Sequence, residues 1–289
     1  MKILNFGSLN IDHVYQVDHL CRPGETLASS SYQVFAGGKG ANQSAALARA
    51  GAAVYHAGQV GPEGQWLIEK LAALGVDMQF TLIDESPTGH AIIQVDSGGQ
   101  NSIILYPGAN KSITTEHIEA TLSYFNEGDI LLLQNEINNV SHLIEQAYKR
   151  GFTICFNPAP YGPEVQAYAL DKVHILVVNE TEAMALAKVN STEWLIDRLA
   201  EAYADAEIIL TLGEQGVIYR STQDSLEVPA DLVDVVDTTG AGDTFIGYYL
   251  AGKAAQLSAV ESLQRATRAA GLCVTRPGAM DSIPPNNKI

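Results

Sequence analysis

Short, uninterrupted apolar runs alternate along this chain with segments whose apolar residues recur at helical spacing. The apolar runs cover residues 2–6, 53–60, 130–134, 153–156, 175–178 and 208–212, and the helical segments cover 41–50, 63–74, 115–125, 140–150, 180–188 and 192–203. Continuous apolar strands are buried on both faces, and strands that alternate with helices form parallel sheets. The sequence therefore predicts an α/β fold whose mainly parallel sheet binds ligands at the carboxyl ends of its strands.

Two stretches interrupt this alternation with short β-prone segments. Residues 90–95 and 101–106 flank the polar, glycine-containing loop 96–100, which is typical of a hairpin. Residues 14–17 and 28–35 also have strand character. We expect a small sheet inserted from about residues 12–35 and 88–107 into a single domain of residues 1–289. Such a sheet could close over a ligand or pair with another subunit.

Composition and charge exclude several classes of partner. The formal net charge of −16 argues against nucleic acid or an acidic membrane surface, and no apolar run is long enough to span a bilayer. The three cysteines are widely spaced without a CxxC pair, and the seven histidines form no HxxxH pair. We therefore expect a cytoplasmic protein that has neither disulfides nor a zinc site.

The most informative motif is the segment 237–245, DTTGAGDTF, which leads into an apolar helical pattern. Free amides at a helix start, with glycines that allow close approach, form a binding place for an anion. Asp243 lies in the first turn beside that place. A base next to an anion hole suits phosphoryl transfer to an alcohol, although a first-turn aspartate can also serve only to complement the helix dipole.

Polar residues near the amino terminus could hold a polyol. Asn10 and Asp12 have the spacing that places two side chains on one face of an extended segment, and an amide with a carboxylate suits adjacent hydroxyls. A polar turn after a strand explains them equally well. Residues 37–40 include three glycines and Lys39, which indicates unusual backbone angles or close approach to a ligand. This segment is not a Walker A loop, because Gly40 follows the lysine.

Two later motifs could contact a nucleotide. Asn179 and Glu182 form a capping-box pattern, which fits helix capping alone and also a helix start that faces phosphates. The segment 211–216 lies between two predicted strands, where a tight turn is the default interpretation.

The segment 237–245 is similar, position for position, to the signature of the ribokinase family of carbohydrate kinases, also called the phosphofructokinase-B family. The other motifs match that family in the expected order over nearly the whole chain. The resemblance implies a three-layer αβα sandwich with a small β-sheet lid, which often forms the interface of a homodimer. It also implies ATP-dependent phosphorylation of a primary hydroxyl of a small sugar. Our first hypothesis is D-ribose, phosphorylated at O5, and the alternative is a fructokinase or nucleoside kinase of the same family.

The resemblance implies a role for individual residues. Asp243 would be the catalytic base, with the amides of Gly240, Ala241 and Gly242 as the anion hole. The sugar would be held by Asn10, Asp12, Gly38, Lys39, Asn42 and Glu136, although Glu136 could be a plain loop residue. The nucleotide would be contacted by Asn179, Thr211, Gly213, Gly216 and Thr267. Glu182 would hold Mg²⁺ through water, and a monovalent cation, potassium in our hypothesis, would be bound by Asp237, Thr239, Cys273, Arg276, Gly278 and Ser282.

Two positions depart from the family pattern: Ile246, where ribokinases commonly carry asparagine, and Thr267, where a larger polar side chain is common. Two classes of protein remain as rivals. An NAD-dependent oxidoreductase would need GxGxxG after the first strand, and residues 7–10 lack it. A sugar-binding module without catalytic activity would not need both Asp243 and the glycine loop.

Overall fold

The computed structural model describes residues 1–192 and 194–289. Within them the chain forms strands and helices in the following order: β1 (Ile3–Phe6), β2 (Asn10–Gln16), β3 (Ser31–Gly37), α1 (Lys39–Arg49), β4 (Val54–Val60), α2 (Gln65–Ala73), β5 (Asp77–Ile83), β6 (Gly89–Val95), β7 (Asn101–Tyr106), α3 (Thr115–Leu122), β8 (Ile130–Gln134), α4 (Val140–Lys149), β9 (Thr153–Asn157), β10 (Ile175–Asn179), α5 (Glu180–Ala187), α6 (Leu195–Ala202), β11 (Glu207–Thr211), β12 (Val217–Arg220), β13 (Ser225–Val228), α7 (Ala241–Ala254) and α8 (Ala259–Cys273).

The main sheet has nine strands in the order β13-β12-β11-β10-β9-β8-β1-β4-β5. The strands from β11 to β5 in that order are parallel, whereas β12 and β13 pair antiparallel at one edge. One face packs against α1, α2, α7 and α8, and the other packs against α3, α4, α5 and α6. The predicted three-layer α/β architecture is confirmed. Among the described helices, none is both long and apolar enough to cross a bilayer.

The lid sheet, formed by β2, β3, β6 and β7, has the strand order β3-β2-β6-β7. Its β6–β7 hairpin, joined by residues 96–100, is confirmed. The first two lid strands differ in extent from the predicted segments 14–17 and 28–35, because β2 begins at Asn10 and β3 ends at Gly37. Polar residues at the start of β2 concealed its strand character in the sequence. Asn10 and Asp12 therefore lie on the lid itself.

Other departures from the sequence prediction lie at the edges of the fold. The edge strand β5 was not expected, because its alternating exposed and half-buried residues lack a continuous apolar run. The predicted helix at 192–203 includes residue 193, which lies outside the described residues, and α6 covers Leu195–Ala202.

Helices α1 and α7 are in close contact where Gly247 faces α1. A Cβ atom on Gly247 would lie 2.3 Å from the Ala46 Cβ and 2.8 Å from the Leu47 backbone nitrogen. Both neighbours are fully buried, so they have little room to move. The absence of a side chain at Gly247 thus sets the distance between the helix that begins with Lys39 and the helix that carries Asp243.

We expect Gly247→Ala to lower the free energy of unfolding by about 1–3 kcal/mol, because the added methyl group forces two packed helices apart. Gly271→Ala is the matched control, since Gly271 lies inside α8 and a Cβ there meets only the Asp231 Cβ at 3.9 Å. The control should raise stability by roughly 0.5–1 kcal/mol through helix propensity. Urea denaturation measures both changes, and equal effects would contradict this account of the helix contact.

Candidate active site

A cavity of about 220 Å³ opens at the carboxyl ends of β9, β10 and β11, between these strands and the start of α7. Its walls include residues from both halves of the chain: Lys39, Asn157, Ala159, Val177, Val178, Asn179, Glu182, Thr211, Thr238, Gly240, Gly242, Asp243 and Ile246. The position agrees with the general location of ligand sites in parallel sheets. Of the predicted sugar-binding residues, Lys39 alone lines this cavity. It shares the cavity with most of the predicted catalytic residues and with the nucleotide-binding and magnesium-binding candidates Asn179, Thr211 and Glu182.

Asp243 lies in the first turn of α7 and is only 7% exposed. Each of its carboxylate oxygens accepts a hydrogen bond from an amide of α1. Asn42 Nδ2 donates to Oδ2 at 3.0 Å, and Gln43 Nε2 donates to Oδ1 at 2.9 Å. These contacts fix the orientation of the carboxylate and connect the glycine loop of α7 to the predicted sugar-binding helix.

The amino-terminal end of α7 presents unpaired amides to the cavity. Gly240 precedes the helix in a left-handed conformation, with φ at 78°, which glycine adopts without strain. The Ala241 amide donates to the Thr238 carbonyl at 3.3 Å. Within the described chain, the amides of Gly240, Gly242 and Asp243 have no acceptor. These three amides, together with the helix dipole, can bind an anion.

Lys39 is the cation that faces these groups. The Asp243 carboxylate raises the pKa of the Lys39 ammonium above its usual value against the lowering effect of burial, and Glu136 and Glu182 add to the increase. Three carboxylates thus act electrostatically on one ammonium group. Lys39 remains charged at neutral pH and can neutralise part of the charge of a phosphoryl group that is bound in this cavity.

Two of the predicted sugar-binding residues are carboxylates: Asp12 lies on the lid strand β2, and Glu136 follows β8. Burial raises the pKa of Asp12 to about 6, and the nearby Glu136 charge adds to this effect. Burial also raises the pKa of Glu136, against the opposing effects of the Ser8 hydroxyl and the Lys39 charge. Glu136 accepts hydrogen bonds from the Ser8 hydroxyl and, at 2.9 Å, from the Lys39 backbone amide, so it is not a plain surface residue.

Two further predicted sugar-binding residues are Asn10, at the start of β2, and Gly38, just before α1. Asn10 is 4% exposed, and its Oδ1 accepts a hydrogen bond from Asn110 Nδ2 at 2.8 Å. Gly38 precedes α1, and a Cβ on it would lie 3.1 Å from the Asn10 backbone nitrogen. The backbone at the start of β2 therefore lies against the residue that precedes α1.

The predicted nucleotide-binding residues are only partly brought together. Asn179 and Thr211 line the cavity, and Gly213 lies in the turn between β11 and β12. Close packing explains the glycine at position 216, because a Cβ there would lie 2.1 Å from the Val228 carbonyl oxygen. Thr267 lies on α8, is 7% exposed and lines neither this cavity nor the second one described below. Its proposed adenine contact stays a prediction.

Glu182 could hold a magnesium ion through water. The capping box is present: Glu182 N–H donates to Asn179 Oδ1 at 2.9 Å, and Asn179 N–H donates to Glu182 Oε2 at 3.1 Å. Burial raises the pKa of Glu182, while the Asn179 amide and Lys39 act in the opposite direction. One carboxylate oxygen serves the cap, which leaves the other for a ligand in the cavity. Both interpretations of the motif are therefore compatible with the structure.

The predicted monovalent-cation residues also cluster. Asp237 accepts hydrogen bonds from the Thr239 amide at 2.9 Å and the Gly278 amide at 2.8 Å, which join the two segments of the proposed site. Burial raises the pKa of Asp237, but the Thr239 side chain and these two backbone hydrogen bonds together outweigh burial and hold that pKa below its usual value.

The remaining members of the set lie at the end of α8 and in the segment that follows it. Ser282 Oγ is 3.0 Å from Cys273 Sγ, and the Arg276 amide donates to the Cys273 carbonyl at 3.2 Å. Among the described residues, no group of three or more His, Cys, Asp or Glu side chains could hold a metal ion. One carboxylate with backbone carbonyls fits a hard cation held mainly by oxygen.

Sequence reasoning missed two sets of buried amides: Asn5, Gln134 and Gln43, which lead to Asp243, and Asn110, which contacts Asn10. Gln43 and Asn5 are fully buried, and Gln134 and Asn110 are each 1% exposed. Asn5 and Gln134 are polar residues in otherwise apolar buried strands. That pattern was the available signal, because a buried amide needs partners.

The family model described as pfkB family carbohydrate kinase matches residues 1–286. Ribokinase of Haemophilus influenzae is 34% identical over 287 residues, which cover 96% of this chain and 94% of that protein. Deoxyribokinase of Salmonella typhi is 32% identical over 300 residues, covering 98% of this chain and 96% of that protein.

Solved structures agree with these relatives. The ribokinase structure from Thermotoga maritima has a TM-score of 0.89 and 35% identity, and the match covers 100% of this chain and 97% of that one. The Arabidopsis thaliana ribokinase structure, complexed with ribose and ATP, has a TM-score of 0.87 and 29% identity, covering 99% of this chain and 96% of that one.

The raised pKa of Asp12 predicts a pH-dependent penalty on folding. The pKa rises from 3.8 to about 6 on folding, so the penalty is absent below pH 3.8, grows between pH 4 and 6 and is complete above that range. Asp12→Asn removes the charge and should raise the free energy of unfolding by up to about 3 kcal/mol at pH 7. Urea denaturation from pH 4 to 8 measures this difference, and a difference that is constant over the range would contradict the shift.

Proposed function

Because the chain belongs to the pfkB family of carbohydrate kinases, we propose that it transfers the γ-phosphoryl group of ATP to the O5 hydroxyl of D-ribose and forms ribose 5-phosphate. ATP-dependent kinase activity follows from the family. The choice of ribose is supported by the ribokinase relatives and by the ribose and ATP bound to the Arabidopsis protein. The observation that carries the proposal is the buried Asp243 beside the unpaired amides of α7.

Asp243 is the proposed catalytic base. The amides of Asn42 and Gln43 hold its two oxygens, so the carboxylate is positioned before a substrate arrives. It accepts the proton of the sugar hydroxyl as the oxygen attacks the phosphorus, while the bond from phosphorus to the leaving oxygen of ADP breaks. Preorganisation of this kind lowers the barrier without a reorganisation cost during the reaction.

The charge that develops on the transferred group is stabilised from two sides. The amides of Gly240 and Gly242 are available to the phosphoryl oxygens, and the Ala241 amide becomes available if its long contact with Thr238 opens. Lys39 supplies the opposing positive charge. Exclusion of water by the lid would strengthen both interactions.

The sugar is proposed to lie between the lid and Lys39. Asp12 and Glu136 accept hydrogen bonds from its hydroxyls, Asn10 and Asn42 can donate or accept, and Gly38 allows close approach. Asn110 holds Asn10 in place for this role. The chain would act as one kinase domain of residues 1–289, with the lid as an insertion.

The nucleotide phosphates would face Asn179, Thr211 and the start of α7. A second cavity, of about 530 Å³, is lined by Leu232, Val233, Asp234, Val236 and Thr275. Val236 lies two residues from Thr238 in the first cavity, and Leu232 and Val236 are 100% and 62% exposed. An adenine ring would cover these apolar side chains, with Gly213, Gly216 and Thr267 as the other predicted contacts.

Two cations complete the proposal. Glu182 would hold Mg²⁺ on the nucleotide through water, and the bound ion would neutralise charge at the phosphates. The Asp237 group would hold potassium through the Asp237 carboxylate, the carbonyls of Thr239, Cys273, Arg276 and Gly278, and Ser282. Asp237 accepts hydrogen bonds from the amide of Thr239, next to the glycine loop, and from the amide of Gly278 in a distant segment. By tying these two segments together, it would position the anion hole.

The substrate is tested by incubating the protein with ATP, Mg²⁺ and a mixture of ribose, deoxyribose, fructose and nucleosides. Mass spectrometry of the products should show ribose phosphate as the main product. Preferential phosphorylation of deoxyribose, fructose or a nucleoside would replace ribose and leave the kinase assignment intact. Binding of a sugar without ATP turnover would favour a non-catalytic module.

We expect Asp243→Asn to lower kcat roughly 10²–10⁴-fold, because the amide cannot accept the hydroxyl proton. Asp205→Asn, at an exposed position, is the control and should leave kcat unchanged. A coupled assay for ADP release measures both. Retention of most activity by Asp243→Asn would exclude this residue as the base.

The lid sheet is proposed to form a homodimer interface. It exposes large apolar side chains on both faces, at Tyr32, Val34, Phe35, Ile92, Ile103, Ile104, Leu105 and Tyr106. Exposed apolar clusters of this kind mark association surfaces. A second copy of the chain, with its own lid, offers a matching apolar partner.

The double variant Ile103→Asp/Ile104→Asp places a charge on each face of β7 and should convert a dimer into a monomer. Light scattering after size-exclusion chromatography measures the mass. Val260→Asp, at a 40% exposed position on α8, is the control and should remain dimeric. A monomeric wild-type protein would exclude the lid interface.

A further inference from the structure

A line of buried side-chain amides runs from β1 to the proposed base. Asn5 on β1, Gln134 on β8 and Gln43 on α1 are each at most 1% exposed. Gln134 Nε2 donates to Asn5 Oδ1 at 2.9 Å and to Gln43 Oε1 at 2.6 Å. Gln43 Nε2 then donates to Asp243 Oδ1 at 2.9 Å. Four segments that are distant in sequence meet through these contacts.

The hydrogen bonds fix the direction of every amide in this line. Asn5 Nδ2 donates to the Gly40 carbonyl at 2.7 Å, and a carbonyl oxygen can only accept. The Asn5 oxygen must therefore face Gln134, the Gln134 NH₂ group must face Gln43, and the Gln43 NH₂ group must face Asp243. Reversal of any one amide would bring two oxygens or two NH₂ groups together.

Asn157 provides a second, independent anchor. Its Nδ2 donates to the Val177 carbonyl at 3.0 Å, so its Oδ1 faces Gln43 Nε2 at 3.4 Å. Both anchors therefore require the same orientation of Gln43. Each anchor keeps the NH₂ group of Gln43, and not its carbonyl oxygen, directed at the Asp243 carboxylate.

Glycine 7 makes room for this line of amides. A Cβ on Gly7 would lie 2.4 Å from Gln134 Oε1 and 2.7 Å from the Gly40 Cα. Gln134 Oε1 is itself buried and has no partner among the described residues. An unsatisfied buried oxygen costs stability. Both N–H donors of Gln134 are nevertheless bonded, one to Asn5 and the other to Gln43, while its oxygen is left without a partner.

We propose that Asn5, Gln134 and Gln43 form an amide relay that positions the base, with Gln43 as the positioning residue that acts on Asp243. The relay rests on the proposed function of Asp243. It holds the carboxylate in one orientation, because Gln43 Nε2 donates to one carboxylate oxygen while Asn42 Nδ2 donates to the other. A hydrogen-bond donor stabilises negative charge on the carboxylate that accepts the bond. Charged groups also face Asp243 from three other directions: Lys39 at the start of α1, Glu136 after β8 and Glu182 on α5.

Gln43→Met removes the donor with little change in volume. We expect kcat to fall about tenfold to 10²-fold, with KM for ribose and ATP within about twofold of wild type. The acid limb of the kcat–pH profile should move to higher pH, since Asp243 loses a donor to its charged form. A loss of kcat with an unchanged acid limb would assign Gln43 a merely structural role and overturn the proposal.

Gln134→Met tests the relay one step away from the base. It removes one of the two anchors that orient Gln43 and leaves the contact with Asn157 in place, so the acid limb should move in the same direction by less than in Gln43→Met, with a smaller loss of kcat. Gln59→Met is the matched control, because Gln59 is 5% exposed on β4 and outside the relay. We expect the control to lower the thermal midpoint of unfolding and to leave the acid limb in place. An acid limb shifted equally by the control would overturn the proposal.

NMR of side-chain ¹⁵N amides separates the relay from the reaction. The Gln43 NH₂ signal is assigned by its loss in Gln43→Met. In the wild-type protein this signal should shift with pH. Asp243→Asn should abolish that shift. This coupling is expected even if no sugar is phosphorylated, in which case the proposed function fails and the relay stands. A Gln43 signal that does not titrate in an active enzyme would exclude the relay alone.

Discussion

The contact between α1 and α7 is the constraint on which the site depends. Gly247 lets the two helices meet at the Ala46 backbone, and one turn earlier the amides of Asn42 and Gln43 enclose the Asp243 carboxylate. A buried carboxylate without donors would be costly, so the packing of the helices and the hydrogen bonds of the base support each other. The helix that presents the proposed sugar ligands and the helix that presents the base cannot move separately.

The sheet brings together groups that the chain keeps far apart. Parallel strands place Asn157, Asn179 and Thr211 at one edge of the sheet, next to the start of α7, while β2 contributes Asn10 and Asp12 from the lid. The lid is therefore more than a cover, because it contributes proposed ligands of the sugar. A kinase needs its acceptor and donor on opposite sides of the phosphoryl group, and this arrangement provides two such sides.

Much of this architecture could be predicted from local patterns. Apolar runs alternating with helical segments predicted the parallel sheet, and the segment 237–245 predicted the family, which the comparisons confirm. The edge strand β5 was missed because it is only half-buried. The relay was missed for a different reason: Gln134 and Gln43 are 91 residues apart, and Gln43 and Asp243 are 200 apart. No local period or propensity encodes such pairs; only the folded sheet brings them into contact.

The surroundings of Lys39 have a consequence for how the nucleotide is captured. One ammonium group faces the carboxylates of Asp243, Glu136 and Glu182, in a protein whose formal net charge is −16. At a distance, a polyphosphate is therefore repelled, and attraction begins only within the few ångströms reached by helix amides and Lys39. Mobile ions screen the long-range repulsion more than the short-range contacts. Capture should consequently become faster as ionic strength increases, the opposite of the trend for proteins that draw phosphates in through a basic surface.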